Sequence, residues 1–155
     1  MNSEDPLEIR VLLVEDSAAD VYLVREAMSR EGLNFRLDVA EDGEKAIEIL
    51  DHVDANPQEH APGLLLLDLN VPRKNGMVVL DRLRQSPRCG GIPVIMISSS
   101  DSPWDRRSAF ELGVTEYFRK PSYLDQFMLL GKIVRRLVDE PGPVEVADTR
   151  SLSGA

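Results

Sequence analysis

Five short apolar runs, Ile9 to Val14, Phe35 to Ala40, Leu64 to Asp68, Pro93 to Ser98 and Glu116 to Arg119, alternate along the chain with amphipathic stretches. A run of roughly four to eight apolar residues closed by a turn signal reads as a strand buried on both faces. Strands that alternate with helical stretches form βαβ units, so the pattern predicts an α/β fold built on a mostly parallel sheet. The third run is the most constrained: Leu64, Leu65, Leu66 and Leu67 deliver the carboxylate of Asp68 to the carboxyl end of a strand. In open α/β sheets that rim is where ligands bind.

Length allows one sizeable core. With 155 residues and 43% hydrophobic content, a single domain is expected over residues 9–140, with an N-terminal extension over 1–8. From Pro141 onward the sequence PGPVEVADTRSLSGA lacks periodicity and is expected to be a disordered tail, leaving no room for an output domain. The lone Cys89 excludes an internal disulfide framework. With no signal peptide and no apolar stretch long enough to span a bilayer, a soluble cytoplasmic protein is expected. A net charge of -9, from 27 acids against 18 bases, disfavours direct binding to nucleic acid.

The helices carry their own punctuation. Ser17, Ser102 and Ser122 each stand three residues before an aspartate, Asp20, Asp105 and Asp125, in capping-box patterns. Pro103 suits a first helical position, and Gly32 and Gly113 suit helix ends. Trp104 is expected to be a partly buried helix residue and Cys89 an incidental loop thiol. The connection Asp51 to Pro62 is longer than the usual loop, and is either a tolerated insertion or a partner-contacting element. His52 and His60 in it match no zinc spacing.

The chemistry gathers at the strand ends. The first strand ends in VEDS, so Glu15 and Asp16 share a rim with Asp68 if the two strands are parallel neighbours. Three carboxylates so close repel one another, which makes sense if a cation normally sits among them. An all-oxygen site with few protein ligands suits Mg²⁺. The fourth strand brings Ser98 to the same edge and the fifth brings Lys120, a hydroxyl donor and a compact positive charge for an anion. Carboxylate nucleophile, hard cation, hydroxyl and ammonium together describe a phosphoryl-transfer site.

VEDS, LLLLDLNVPRKNG, PVIMISSS and EYFRKP, in this order and spacing, resemble the response-regulator receiver domain of two-component signalling over about Ile9 to Val138. The long loop before the third strand and the wording DLNVPRKNG look most like single-domain receivers that serve bacterial phytochromes. The resemblance implies a flavodoxin-like, doubly wound, five-stranded parallel sheet in the order 2-1-3-4-5 with five helices. It implies that Asp68 is the phosphoacceptor and that Asp16 and Asp68 bind Mg²⁺ directly. Glu15 would act through a metal-bound water, and the backbone carbonyl of Asn70 would complete the set. Ser98 and Lys120 would bond the phosphoryl oxygens, Tyr117 would be an aromatic switch that turns inward with Ser98, and the Lys120–Pro121 bond would be cis.

The expected function is therefore that of a stand-alone receiver phosphorylated by a sensor histidine kinase, a signalling phosphoacceptor acting only on itself. Two other readings compete with it. An aspartate-nucleophile phosphatase would carry a second Asp two residues after the nucleophile, where this chain has Asn70, and an amide cannot shuttle a proton. A receiver-shaped adaptor that works without phosphorylation has no need of the set Asp68, Ser98 and Lys120. The last helix, about Tyr123 to Val138, has an apolar set wider than one sheet-facing stripe, which is either extra core packing or a homodimer face shared with the fifth strand.

Overall fold

The computed structural model describes residues 8–139. The extension expected over 1–8, apart from Glu8, and the tail expected from 141 lie outside the described residues. Five strands, β1 (Ile9–Val14), β2 (Phe35–Ala40), β3 (Leu64–Asp68), β4 (Val94–Ser98) and β5 (Glu116–Arg119), form one parallel sheet in the order β2-β1-β3-β4-β5. The helices are α1 (Ala18–Arg30), α2 (Gly43–Ala55), α3 (Gly76–Arg84), α4 (Pro103–Glu111), α5 (Leu124–Phe127) and α6 (Leu129–Asp139). The expected order and all-parallel pairing are both present.

Strand side chains alternate between faces, and the leucine run shows what that alternation does here. Leu64 and Leu66 join Val11, Leu13, Ile95 and Ile97 under α1 and α6, where they meet Met28, Leu130 and Val134. Leu65 and Leu67 join Leu12, Val14, Val94 and Met96 under α2, α3 and α4, against Leu50, Val53, Leu80 and Leu83. All four leucines have 0% exposure. Burial of a whole leucine side chain stabilises by about 1.5–3 kcal/mol, so the run anchors the central strand to both helical layers at once.

The fifth predicted helix is split into α5 and α6 with Met128 between them. The turn is tightened there by a bond from the Gly131 N–H to the Met128 carbonyl, 3.1 Å, a spacing of three residues rather than four. Gly131 also lets α6 lie against the α1 backbone, because a Cβ at this position would overlap the Ala27 carbonyl oxygen. Gly131→Ala is therefore expected to destabilise the fold by about 1–3 kcal/mol through overpacking. Chemical denaturation measures this directly, and an unchanged midpoint would mean that the two helices do not approach so closely.

Most of the surplus apolar set of this region is core: Phe127, Leu130, Val134 and Leu137 are buried, and Met128, Ile133 and Val138 pack against them. Leu124 and Leu129 stay exposed. Several local expectations also change. Ser17 and Ser102 cap α1 and α4, but α5 begins one residue later than expected, with Tyr123 as its N-cap and no side-chain cap bond, so Ser122 is displaced from the capping position. Trp104 is 71% exposed rather than partly buried. Cys89 lies in the turn between α3 and β4 as expected, but fully buried there, and burial pushes its thiol pKa up.

The long connection is shorter than it reads, because α2 continues to Ala55. The segment beyond Ala55 is pinned by Arg88, which donates to the carbonyls of Val53, Asn56 and Glu59. Arg10 and His52 both reach the Glu59 carboxylate from either side.

Candidate phosphoryl-transfer site

Parallel pairing fixes the rim. Val14 is opposite Leu67, Asp68 is opposite Ile97, and Ser98 is opposite Arg119, so the residues just past β1 and β5 flank the ends of β3 and β4. Glu15, one residue past β1, is still tied to the sheet by its N–H on the Ala40 carbonyl, 3.0 Å. Lys120, one residue past β5, is tied by its N–H on the Ser98 carbonyl, 2.7 Å. Glu15, Asp68 and Ser98 are buried, and Asp16 is exposed.

Glu15, Asp16 and Asp68 each offer a carboxylate oxygen, all within 4.8 Å of one another. The Lys120 ammonium lies beside them, donating to Asp20 Oδ2 at 2.7 Å, Asp68 Oδ2 at 3.0 Å and Glu15 Oε1 at 3.1 Å. Each buried carboxylate also accepts a backbone N–H: Asp68 Oδ1 from Asn70 at 2.9 Å, and Glu15 Oε2 from Ser17 at 3.1 Å. The Asn70 bond sets its backbone next to Asp68. Behind Asp68, the Gly76 N–H bonds the Leu69 carbonyl at 3.0 Å, and a Cβ at Gly76 would lie 2.9 Å from the Asp68 carbonyl oxygen. Only glycine fits there without moving the backbone at Asp68 and Leu69.

The charges are unbalanced. Burial first, and the Asp68 charge second, push the Glu15 pKa up to about 7, against the pull of Lys120 and the Ser17 N–H. Burial alone would lower Lys120. Hydrogen bonds to Asp20 and Asp68, with the charges of Asp68 and Glu15, outweigh it and hold the ammonium above the ordinary lysine value. Three carboxylate oxygens around one point, one of them on a buried acid that resists ionising, match the donor set of a small hard cation such as Mg²⁺.

Ser98 and Tyr117 meet through a residue between β4 and α4. The Ser100 N–H donates to Ser98 Oγ at 3.0 Å, the Ser100 hydroxyl donates to Asp105 Oδ2 at 2.7 Å, and the Tyr117 hydroxyl donates to the Ser100 carbonyl at 3.2 Å. Tyr117 is already buried, with the Arg106 guanidinium 4.6 Å from its ring centroid. The Tyr117 ring is thus turned inward in this structure, held by the Ser100 carbonyl. The Lys120–Pro121 bond, expected cis, is trans, since no cis peptide occurs among the described residues. Trans is the lower-energy isomer of such bonds by about 0.5–1 kcal/mol.

One site residue escapes the sequence reading. Asp20 reads there as half of a capping box, and its N–H does bond Ser17 Oγ at 3.2 Å. Its side chain, however, turns to Lys120 instead of back to Ser17. The available signal was an acid in the first turn of a helix that begins at the rim holding Glu15 and Asp16.

The sequence pattern of the response regulator receiver domain matches residues 11–131. The chain belongs to the response-regulator receiver family. This receiver is 36% identical to the response regulator Rcp1 of Synechocystis sp. over 110 residues, which is 71% of this chain and 75% of that one. Its fold is similar to the crystal structure of the phosphorylated cyanobacterial phytochrome response regulator RcpA, with a TM-score of 0.75 and 30% identity, covering 84% of this chain and 93% of that one. The Mn²⁺-bound form of Rcp1 gives 0.72 and 35%, covering 81% and 91%. Receivers of this kind are signalling proteins of two-component systems. Among the described residues of this one, no helix is long and apolar enough to cross a membrane.

Proposed function

We propose that the protein accepts a phosphoryl group on Asp68 from a phosphohistidine of a partner sensor kinase, in the cytoplasm, and reports the change through a protein-binding surface. The observation that carries this reading is the Lys120 ammonium bridging the buried Asp68 and Glu15 at 3.0 and 3.1 Å beside the three-carboxylate cluster. An Asp68 oxygen attacks phosphorus in line, the new O–P bond forms as the donor's P–N bond breaks, and the electron pair leaves on the imidazole nitrogen. The nucleophile is a carboxylate, so no proton has to be removed from it. A bound Mg²⁺ would be held by Asp16, Asp68, the Asn70 carbonyl and, through water, Glu15, and would supply neutralisation of charge on the transferred group. Relatives support both parts, since RcpA was crystallised phosphorylated and Rcp1 with Mn²⁺. The same relatives favour a phytochrome-type kinase as the partner.

The output arises from competition for donors. The phosphoryl oxygens accept from the Ser98 hydroxyl, whose oxygen holds the Ser100 N–H, and compete with the carboxylates for the Lys120 ammonium. Charge-assisted bonds are the stronger kind, and about 5.5 kcal/mol of preference takes a two-state population from 1:99 to 99:1.

Incubation with Mg²⁺ and a small phosphodonor is expected to add a single acid-stable, base-labile phosphoryl group, mapped by mass spectrometry to the peptide holding Asp68. A group mapped to a serine would overturn the assignment. Absence of any label would favour the phosphorylation-independent adaptor.

A further inference from the structure

Lys120 has three N–H donors, and all three are in use, on Asp20, Asp68 and Glu15. The shortest of the three bonds, 2.7 Å, goes to the one acceptor that lies outside the Glu15, Asp16 and Asp68 cluster. Asp20 is a firm mount. It stands in the first turn of α1, and its backbone is fixed by the Ser17 cap. Its carboxylate is partly buried and reaches across 100 residues of sequence to β5's end, so its bond to the lysine is tertiary rather than local.

Phosphoryl transfer reassigns the other two acceptors. An Asp68 oxygen becomes bonded to phosphorus and loses its charge, and the Glu15 and Asp68 oxygens are the ones a divalent ion draws upon. Asp20 alone keeps its lone pairs for the lysine throughout. We propose that Asp20 is a positioning residue for phosphoryl transfer, a tether that keeps the Lys120 ammonium in the cleft while Glu15 and Asp68 are otherwise engaged, so that a freed N–H meets the phosphoryl oxygens. The tether deepens the function proposed above and rests on it. It also explains why the helix carries an aspartate whose side chain does not complete the capping box.

An acid near a helix N-terminus also stabilises the helix whatever it touches, so the test must separate the two roles. Phosphoramidate is the donor: its P–N bond breaks as the Asp68 O–P bond forms, and ammonia leaves. At saturating Mg²⁺, intact-mass kinetics are followed for the wild type, Asp20→Ala, Asp20→Asn, Lys120→Ala and the double variant Asp20→Ala with Lys120→Ala, each checked for folding by its melting curve. Loss of the tether is expected to slow labelling about tenfold in Asp20→Ala, the factor for one charge-assisted bond of modest strength. Asp20→Asn, which keeps an uncharged acceptor, falls between. In the Lys120→Ala background, Asp20→Ala changes the rate no further, because a residue that acts through another is silent without it. An Asp20→Ala rate equal to wild type, or equal losses in both backgrounds, overturns the tether.

A second readout needs neither Mg²⁺ nor turnover. In chelator, nitrogen-detected NMR is expected to find the wild-type Lys120 ammonium protons slow to exchange with water and those of Asp20→Ala several-fold faster, roughly the loss of one of three anchoring bonds. Unchanged exchange also overturns the tether. A wild type that takes no label refutes the phosphoacceptor reading instead, and the ammonium exchange then decides for or against the tether.

Discussion

Asp68→Asn is expected to take no phosphoryl group and, in chelator, to melt higher than the wild type. The two effects have one origin. An amide oxygen at this position is neutral, its neighbouring nitrogen pair is delocalised into the carbonyl, and it makes a poor nucleophile. Labelling should fall by about a thousandfold or more, as for other lost nucleophiles. The geometry tolerates the change: an amide oxygen still accepts the Asn70 N–H, and Lys120 keeps Asp20 and Glu15. The Asp68 charge is one of the causes that push Glu15 up, so its removal lets Glu15 ionise more readily. A gain on the order of 1 kcal/mol raises the melting temperature by about 2–4 °C for a chain of this size. Mass spectrometry and calorimetry of one sample check both effects. A variant that still accepts phosphate, or that melts clearly lower in chelator, contradicts the arrangement of charge described for the cleft.

The second large effect is a stability that falls as pH rises from about 5 to 7 when divalent ions are removed. Glu15 has its pKa raised from 4.5 to about 7 by folding, chiefly through burial. Between those values the folded protein holds a proton that the unfolded chain has released, so raising the pH favours unfolding. At 1.36 kcal/mol per unit, the shift of 4.5 to about 7 sets a ceiling of about 3 kcal/mol. Other shifted acids act elsewhere. Hydrogen bonding to Lys132 holds Glu31 below its ordinary value, and bonds from Ser86 and Arg82 do the same for Asp54 against the burial that would raise it. Their stabilisation is complete above the ordinary carboxylate range and is lost only as pH falls below it, so the windows do not overlap. Raised Lys120 contributes fully throughout this range, because both its folded and its unfolded pKa lie far above it. Millimolar Mg²⁺, binding the folded cleft alone, should flatten the slope and add about 2.7 kcal/mol at a hundred times its dissociation constant. Melting temperatures that stay level or climb from pH 5 to 7 in chelator, or that ignore Mg²⁺, would contradict the cluster.

What the sequence discloses depends on how local each cause is. β3 and β4 were legible because burial on both faces keeps their runs apolar up to the strand end, and Leu64 to Leu67 prove to serve both cores, whereas β2 and β5, with Arg36, Asp38, Glu116 and Arg119, were legible only from their place in the alternation. Glu15, Asp16, Asp68, Ser98 and Lys120 were legible because each stands next to such a run, and parallel pairing carries all five to one edge. Ser122 failed as a cap because a one-residue shift in where α5 starts is below what capping patterns resolve. Trp104 failed because an aromatic ring says little about its own burial, which the packing of α4 decides, and the same holds for the depth at which the turn after α3 sets Cys89. Asp20 was hidden for a different reason. Its partner lies 100 residues away, and a capping pattern already accounted for its presence.

The contact between Lys120 and Glu15 spans 105 residues, and the sheet that joins them is completed by β5, the last of the described strands. During synthesis, then, the Asp68 carboxylate on β3 is made well before the ammonium that partners it. A nascent chain that has released only its first four strands holds the acids without the ammonium, which arrives only once β5 has docked on the sheet's edge. Closure of this charge cluster is thereby a late event of the chain's synthesis.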